Sequence, residues 1–182
     1  MITLRRSERP ASAADVDAAL VAIDAGPGAW LGCDVSLPGL YQRQAMAALD
    51  PLLAFYLDGR RLRMVPSGAL GHALAQRLLA ALAPWRFEPV DSRYELDCAA
   101  CQAPDTGAVH PAITVLRRCL ALFEAPPPEF GLFGVLAFDY YRLASPAGVP
   151  DDGRRRLALF LPRSVLVLRD DGPRRVEFDC PG

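Results

Sequence analysis

The chain has 182 residues, 52% of them hydrophobic and 23% charged, which fits one compact domain spanning residues 1–182 and excludes a long low-complexity tail. Twenty basic residues against 21 acidic ones leave a net charge of -1, so no global basic field gathers nucleic acid or anionic lipid. The longest strongly apolar, uncharged run is Phe130 to Phe138, less than half of the roughly 20 residues that a bilayer-spanning helix needs.

The N-terminus, MITLRRSERP, has arginines but lacks the apolar segment of about 7–15 residues that a secretory signal carries, so the expected compartment is cytoplasmic. Five cysteines, an odd number, in a chain large enough to bury a core are read as reduced thiols rather than a disulfide framework. All 20 basic residues are arginine and neither lysine nor asparagine occurs, the bias of a GC-rich genome. An arginine cluster is therefore a weak pointer to function here.

In chain order, Ser12 and Asp15 form a capping pattern ahead of Val16, Leu20 and Ile23, which predicts a helix stopping near Gly26-Pro27-Gly28. Residues 29–35 read as a strand, Pro38-Gly39 as a turn, and Leu40 to Ala47 as weaker extended chain. Asp58-Gly59 predicts a two-residue hairpin turn pairing Leu57 with Arg60, Phe55 with Leu62 and Leu53 with Met64. Its apolar face opposes a wet face carrying Tyr56, Arg61 and Arg63. Leu70, Leu74, Leu78 and Leu82 predict a second helix that ends before Pro84. Irregular strand follows over 85–97 and a loop over 98–109, after which His110-Pro111 opens a third helix with Ile113, Leu116, Leu120 and Phe123 on one stripe. Phe130 to Tyr141 reads as a strand buried on both faces at the sheet centre, its glycines placed where another backbone comes close. Three short strands, 156–161, 164–169 and 174–178, complete the chain. Strands and helices mix without regular βαβ repeats, so the fold class is α+β.

The candidate chemical groups are sparse. Cys98-x-x-Cys101 has the spacing of half a zinc site or a redox pair, but zinc needs two further ligands and only His110 and Cys119 offer themselves, so a loop pair is the expectation. A thiol–imidazole nucleophile would need one of the five cysteines beside His72 or His110, both at helix starts where capping is the ordinary role. No phosphate loop, dinucleotide fingerprint or serine elbow occurs. Arg154-Arg155-Arg156 reads as a solvent-facing run, and Asp139, ending the apolar run, as a structural anchor that must find donors.

Several segments, in order, resemble the N-terminal domain of anthranilate synthase component I, especially the form fused to its glutaminase. Gly131 to Asp139 (GLFGVLAFD) is similar to that family's G-L-F-G-A-F-G-Y-D, and Leu157 to Pro162 with Val165-Leu166-Val167 to its L-V-L-F-L-P-D-E-I-L-V-V. Pro111 to Phe123 resembles its P-T-V-F-T-V-L-R-A-I-V-D-L-F helix, Pro38 to Arg43 its P-G-R-Y-T-R, and Asp50-Pro51 falls in step with its D-P-P.

The resemblance implies mostly antiparallel sheets flanked by about three helices, with Gly131, Gly134 and Asp139 as a structural motif. It implies a system that converts chorismate and glutamine-derived ammonia to anthranilate and pyruvate, on the way to tryptophan. The chorismate and Mg²⁺ residues belong to a C-terminal domain outside this chain, so no catalytic residue, cofactor or metal ligand is assigned here. The implied partners are that chorismate-binding domain, on the same or a separate chain, and a glutaminase subunit or domain; nucleic acid and membrane are not among them. Part of a tryptophan feedback site falls on Cys33, Asp34 and Arg43, with Cys33 where the family has serine. A thiol is the weaker hydrogen-bond partner, so the site is read as degenerate. The alternatives are an aminodeoxychorismate synthase or a specialised-metabolism cousin, and a free-standing, non-catalytic module for an aromatic amino acid or a partner protein.

Overall fold

The structure, a computed structural model, describes residues 1–33, 44–100, 110–137 and 151–180. Among them the chain is α+β: mostly antiparallel strands with three helices. It divides into two compact units. The first comprises Met1–Ile2, Leu52–Glu124 and Gly134–Phe160, the second Thr3–Pro51, Ala125–Phe133 and Leu161–Gly182.

In the first unit, the Leu52–Asp58 part of β4 (Gln44–Asp58) is followed by β5 (Arg61–Pro66), β7 (Arg93–Asp97) and β6 (Glu88–Val90), each antiparallel to its neighbour. The hairpin keeps its expected faces but not its expected register: Leu57 pairs with Leu62, Phe55 with Met64 and Tyr56 with Arg63. The turn residues are Gly59 and Arg60, with positive φ at Gly59 alone, so the chain reverses one position later than Asp58-Gly59 suggested. A shift of two along the partner strand preserves the side-chain alternation, so Leu53, Phe55, Leu57, Leu62 and Met64 are all fully buried. Helix α2 (Gly68–Ala81) packs on β5 and buries Leu74, Ala75 and Leu78, as the leucine spacing predicts. Helix α3 (Pro111–Ala121) starts at the N-cap His110 and buries Val115, Leu116 and Cys119. Two-residue strands β1 (Ile2–Thr3) and β8 (Phe123–Glu124) form a separate ladder.

In the second unit, β2 (Arg5–Pro10) and β10 (Arg155–Arg169, here its Leu161–Arg169 part) flank β11 (Gly172–Asp179), all antiparallel. β3 (Ala29–Cys33) pairs with the Gln44–Ala48 stretch of β4. Helix α1 (Ala13–Ala25) carries the expected capping box: Ser12 Oγ accepts from Asp15 N, and Asp15 accepts from Ser12 N. Its buried residue is Ala19, packed with Ala47, Leu49 and Leu166, while Val16 and Ile23 flank that cluster. Leu20, expected on the inner stripe, is 43% exposed instead.

Two further expectations change. Residues 156–161 and 164–169 are not separate strands but parts of the continuous β10, which runs through Pro162. Among the described residues, the apolar run from Phe130 contributes β9 (Phe133–Leu136), which pairs with β10 off the main strand path, and it is not buried: Val135 is 67% exposed and Leu136 45%.

Candidate functional site

The glycine motif is the sequence feature that the structure explains most directly. Gly134 has φ of 138°, and a Cβ there would lie 2.1 Å from the carbonyl oxygen of Ala158 on β10. Only glycine permits that approach. Ala137 N donates to Arg156 O at 2.9 Å, so β9 is pinned along β10 on both sides of Val135 and Leu136. Gly131 is different: a Cβ there meets no atom within 4 Å, so the expected close approach does not occur at that glycine. Asp139 lies outside the described residues.

The effector candidates are described only in part. Cys33 ends β3 opposite Gln44, while its side chain, Asp34 and Arg43 lie outside the described residues. The Asp50-Pro51 motif does have a geometry. Asp50 holds a left-handed φ of 53° within β4, and its Oδ2 accepts from Ser164 Oγ at 2.9 Å and from Arg175 Nη2 at 3.2 Å. Those bonds hold a conformation that side-chain-bearing residues rarely adopt. The hydroxyl and the guanidinium both donate to one carboxylate oxygen, an arrangement that anchors the turn of the chain at Asp50.

The first unit's wet face is an arginine–tyrosine stack. The guanidinium carbons of Arg155 and Arg63 lie 4.8 and 5.9 Å from the Tyr56 ring centroid, and both arginines pair with Asp58. The run Arg154-Arg155-Arg156 is therefore not uniformly solvent-facing. Arg154 is exposed and Arg155 bonds Asp58 through Nε at 2.9 Å. Arg156 is 1% exposed and bonds Asp152 at 2.8 Å. Successive residues at the start of β10 face opposite ways, which puts one arginine outside and the next inside. The backbone N of Arg154 and the Arg156 guanidinium hold the Asp152 carboxyl below the usual carboxylate range.

The second unit carries a polar cluster that the sequence does not reveal. Arg6 pairs with Glu8 and with Glu129, and Arg174 pairs with Glu8 and Asp171. Arg6, Glu8, Glu129 and Arg174, with Arg169, Val167, Gly172 and Val176, line a cavity of about 60 Å³. Glu129 is buried and stands 123 positions from Arg6, a separation no local pattern encodes. At roughly 10–15 Å³ per water, the cavity is sized for a few waters.

Both imidazoles and the Cys119 thiol are taken up by the packing and capping of the helices. His110 Nδ1 accepts from Ala112 N at 3.2 Å, capping α3 as expected, and burial lowers its pKa. His72 Nδ1 instead donates to the carbonyl of Gly68, one turn back, so it does not cap α2. Burial pushes the Cys119 thiol up to about 12, the reverse of an activated nucleophile. Cys98 is buried, its N–H bonded to Arg60 O, and Cys101 lies outside the described residues. Among the described residues, no three His, Cys, Asp or Glu side chains are grouped to hold a metal ion, and no helix is long and apolar enough to cross a membrane.

These features define an α+β chain of mostly antiparallel sheet in which several of the described carboxylates, Glu8, Asp58, Glu95, Glu129 and Asp152 among them, pair with arginines. No protein-family model matches it. In sequence it is related to anthranilate synthase: it is 35% identical to the anthranilate synthase of Azospirillum brasilense over 168 aligned residues. That alignment covers 84% of this chain and 22% of the relative, so the chain spans about a fifth of the length of the curated protein it matches.

Proposed function

We propose that this chain is the N-terminal, structural and regulatory domain of an anthranilate synthase, without catalytic residues of its own. One observation carries the reading: the similarity runs over 84% of this chain but only 22% of a protein called an anthranilate synthase. The motifs resembling the family's N-terminal domain favour that end of the enzyme. The conversion of chorismate and ammonia to anthranilate and pyruvate then belongs to a C-terminal chorismate-binding domain that binds Mg²⁺, with ammonia supplied by a glutaminase.

The described carboxylates suit this division of labour. Glu8, Asp58, Glu95 and Asp152 each pair with arginine, which leaves a poor cage for a hard cation that needs oxygen ligands. These residues do not fit Mg²⁺. The regulatory part of the proposal is a degenerate tryptophan site at Cys33, Asp34 and Arg43.

The test supplies the isolated chain with chorismate and ammonia and follows anthranilate by fluorescence. No product is expected from the chain alone, and product is expected when a chorismate-binding chain is added. Turnover by the isolated chain refutes the reading, and aminodeoxychorismate as the product of the mixture transfers it to that enzyme. Calorimetry with tryptophan reads the regulatory part: heat of binding supports a retained site, and silence supports a scaffold alone.

A further inference from the structure

Strand alternation puts one set of side chains from β2, β11 and β10 on a common face. Glu8 stands opposite Val176, and Arg174 opposite Val167. The Phe130 ring meets Phe178 edge-on, with centroids 5.0 Å apart, a contact that holds the neighbouring Glu129 to that face. Arg6 Nη2 donates to Glu129 Oε1 at 3.3 Å. Between these groups lies the cavity of about 60 Å³, lined by Val167 and Val176 and by Arg6, Glu8, Glu129, Arg169 and Arg174.

One group in this wall is unsatisfied. Glu129 is 8% exposed, and its Oε2 is buried with no hydrogen-bond donor among the described residues. A buried carboxylate oxygen without a donor bears its full desolvation cost, so it calls for a partner. Glu8 is in the opposite state: bonds from Arg174 and Arg6 hold its carboxyl below the usual carboxylate range. Arg169, exposed at the cavity mouth, brings a further guanidinium. An anion entering this space meets two carboxylates, and a cation meets three guanidiniums. A molecule carrying both charges finds a complement at each end. By the volume that a water occupies, the cavity takes about five non-hydrogen atoms, the size of glycine.

We infer that this cavity binds a small zwitterionic amino acid, its ammonium donating to Glu129 Oε2 and its carboxylate accepting from the Arg169 guanidinium. Val167 and Val176 supply an apolar wall for the carbon between the two charges. The inference does not rest on the proposed function. It uses residues other than Cys33, Asp34 and Arg43, and tryptophan, with roughly three times as many non-hydrogen atoms, is too large for this space.

The experiment titrates the isotope-labelled chain with glycine and follows backbone amide shifts by NMR at fixed pH and ionic strength. Acetate and methylammonium serve as probes that carry one charge each. The expected result is saturable shifts at the cavity, at Gly172, Arg174 and Val176 foremost, with a Kd on the order of 1 mM, as so small a ligand allows. Acetate and methylammonium should each bind about tenfold more weakly, because each meets half of the site. Glu129→Gln, which keeps the shape and removes the charge, should weaken glycine binding about tenfold. Arg169→Gln should weaken it about fivefold. Arg169 is exposed, so that substitution should leave the melting temperature in place, which separates lost binding from lost folding. No saturable shift means that water alone meets Glu129 Oε2, and overturns the site. Acetate or methylammonium binding as tightly as glycine makes it a site for a single charge and overturns the zwitterion. Glycine binding unchanged in both variants, or shifts confined to other residues, overturns the inference as well. The synthase reading stands or falls separately, on anthranilate production.

Discussion

Gly134 stands against Ala158 so closely that one added methyl group would come within 2.1 Å of a carbonyl oxygen on the neighbouring strand. Backbone cannot yield to that contact as a flexible side chain would, and φ of 138° is strained for any other residue. Gly134→Ala should therefore destabilise the protein by about 3 kcal/mol, adding overpacking to backbone strain. In a chain of this size that lowers the melting temperature by roughly 6–12 °C. Gly131→Ala is the control, since its Cβ meets nothing within 4 Å. Thermal unfolding followed by circular dichroism separates them, and equal melting temperatures for the two variants would show that the close approach is not rigid.

Cysteine reactivity follows from burial. Cys119 is fully buried on α3 and its thiol is pushed up to about 12, so almost no thiolate exists near neutral pH. Cys180 is half-exposed. Iodoacetamide at about pH 8, followed by peptide mass spectrometry, should label Cys180 in the folded protein and Cys119 only after denaturant is added. Rapid native-state labelling of Cys119 would mean that α3 opens readily.

The capping box of α1 gives the protein an acid-sensitive element. Asp15 accepts from the backbone N of Ser12 and from its hydroxyl, both at 2.8 Å, and from Arg9 at 3.1 Å. Those bonds, the backbone one foremost, hold its carboxyl far below its ordinary 3.8. With the folded-state pKa depressed, the stabilisation is complete above 3.8 and is lost as pH falls through and below it. Asp15→Asn should flatten the fall of melting temperature between about pH 5 and pH 2, and the same slope in both proteins would remove Asp15 from the account.

What the sequence discloses is which way residues face; what it conceals is which strand they meet. The leucines of α2 and the alternation of the hairpin recur in the structure because period and turn chemistry are local. β2 has no such signal: all six residues are exposed, and it is a strand because it pairs with β11 near the other end of the chain. Arg6 and Glu129 meet for the same non-local reason. The apolar run from Phe130 misleads in the other direction. Hydrophobicity implies a buried strand, yet Val135 and Leu136 are exposed, because an apolar run alone does not say whether another element covers it. The candidate effector residues Cys33, Asp34 and Arg43 were legible only through family resemblance, since none stands in a local pattern that names a ligand.

His110 supplies a second pH-dependent element, at a milder pH. As N-cap of α3 it uses Nδ1 as an acceptor for Ala112 N, which requires that nitrogen to be unprotonated. Burial lowers its pKa below the ordinary 6.5, in keeping with that role. The unfolded chain therefore takes up a proton that the folded one refuses. The stabilisation is whole above 6.5 and declines as pH falls below it. Asparagine accepts at an N-cap without titrating in this range. Unfolding free energies in denaturant at about pH 7.5 and 5.5 should thus fall with acidity in the wild type, and less so in His110→Asn. An equal loss in the two proteins would show that the His110 cap is not what titrates, and that α3 is held by the burial of Val115, Leu116 and Cys119 instead.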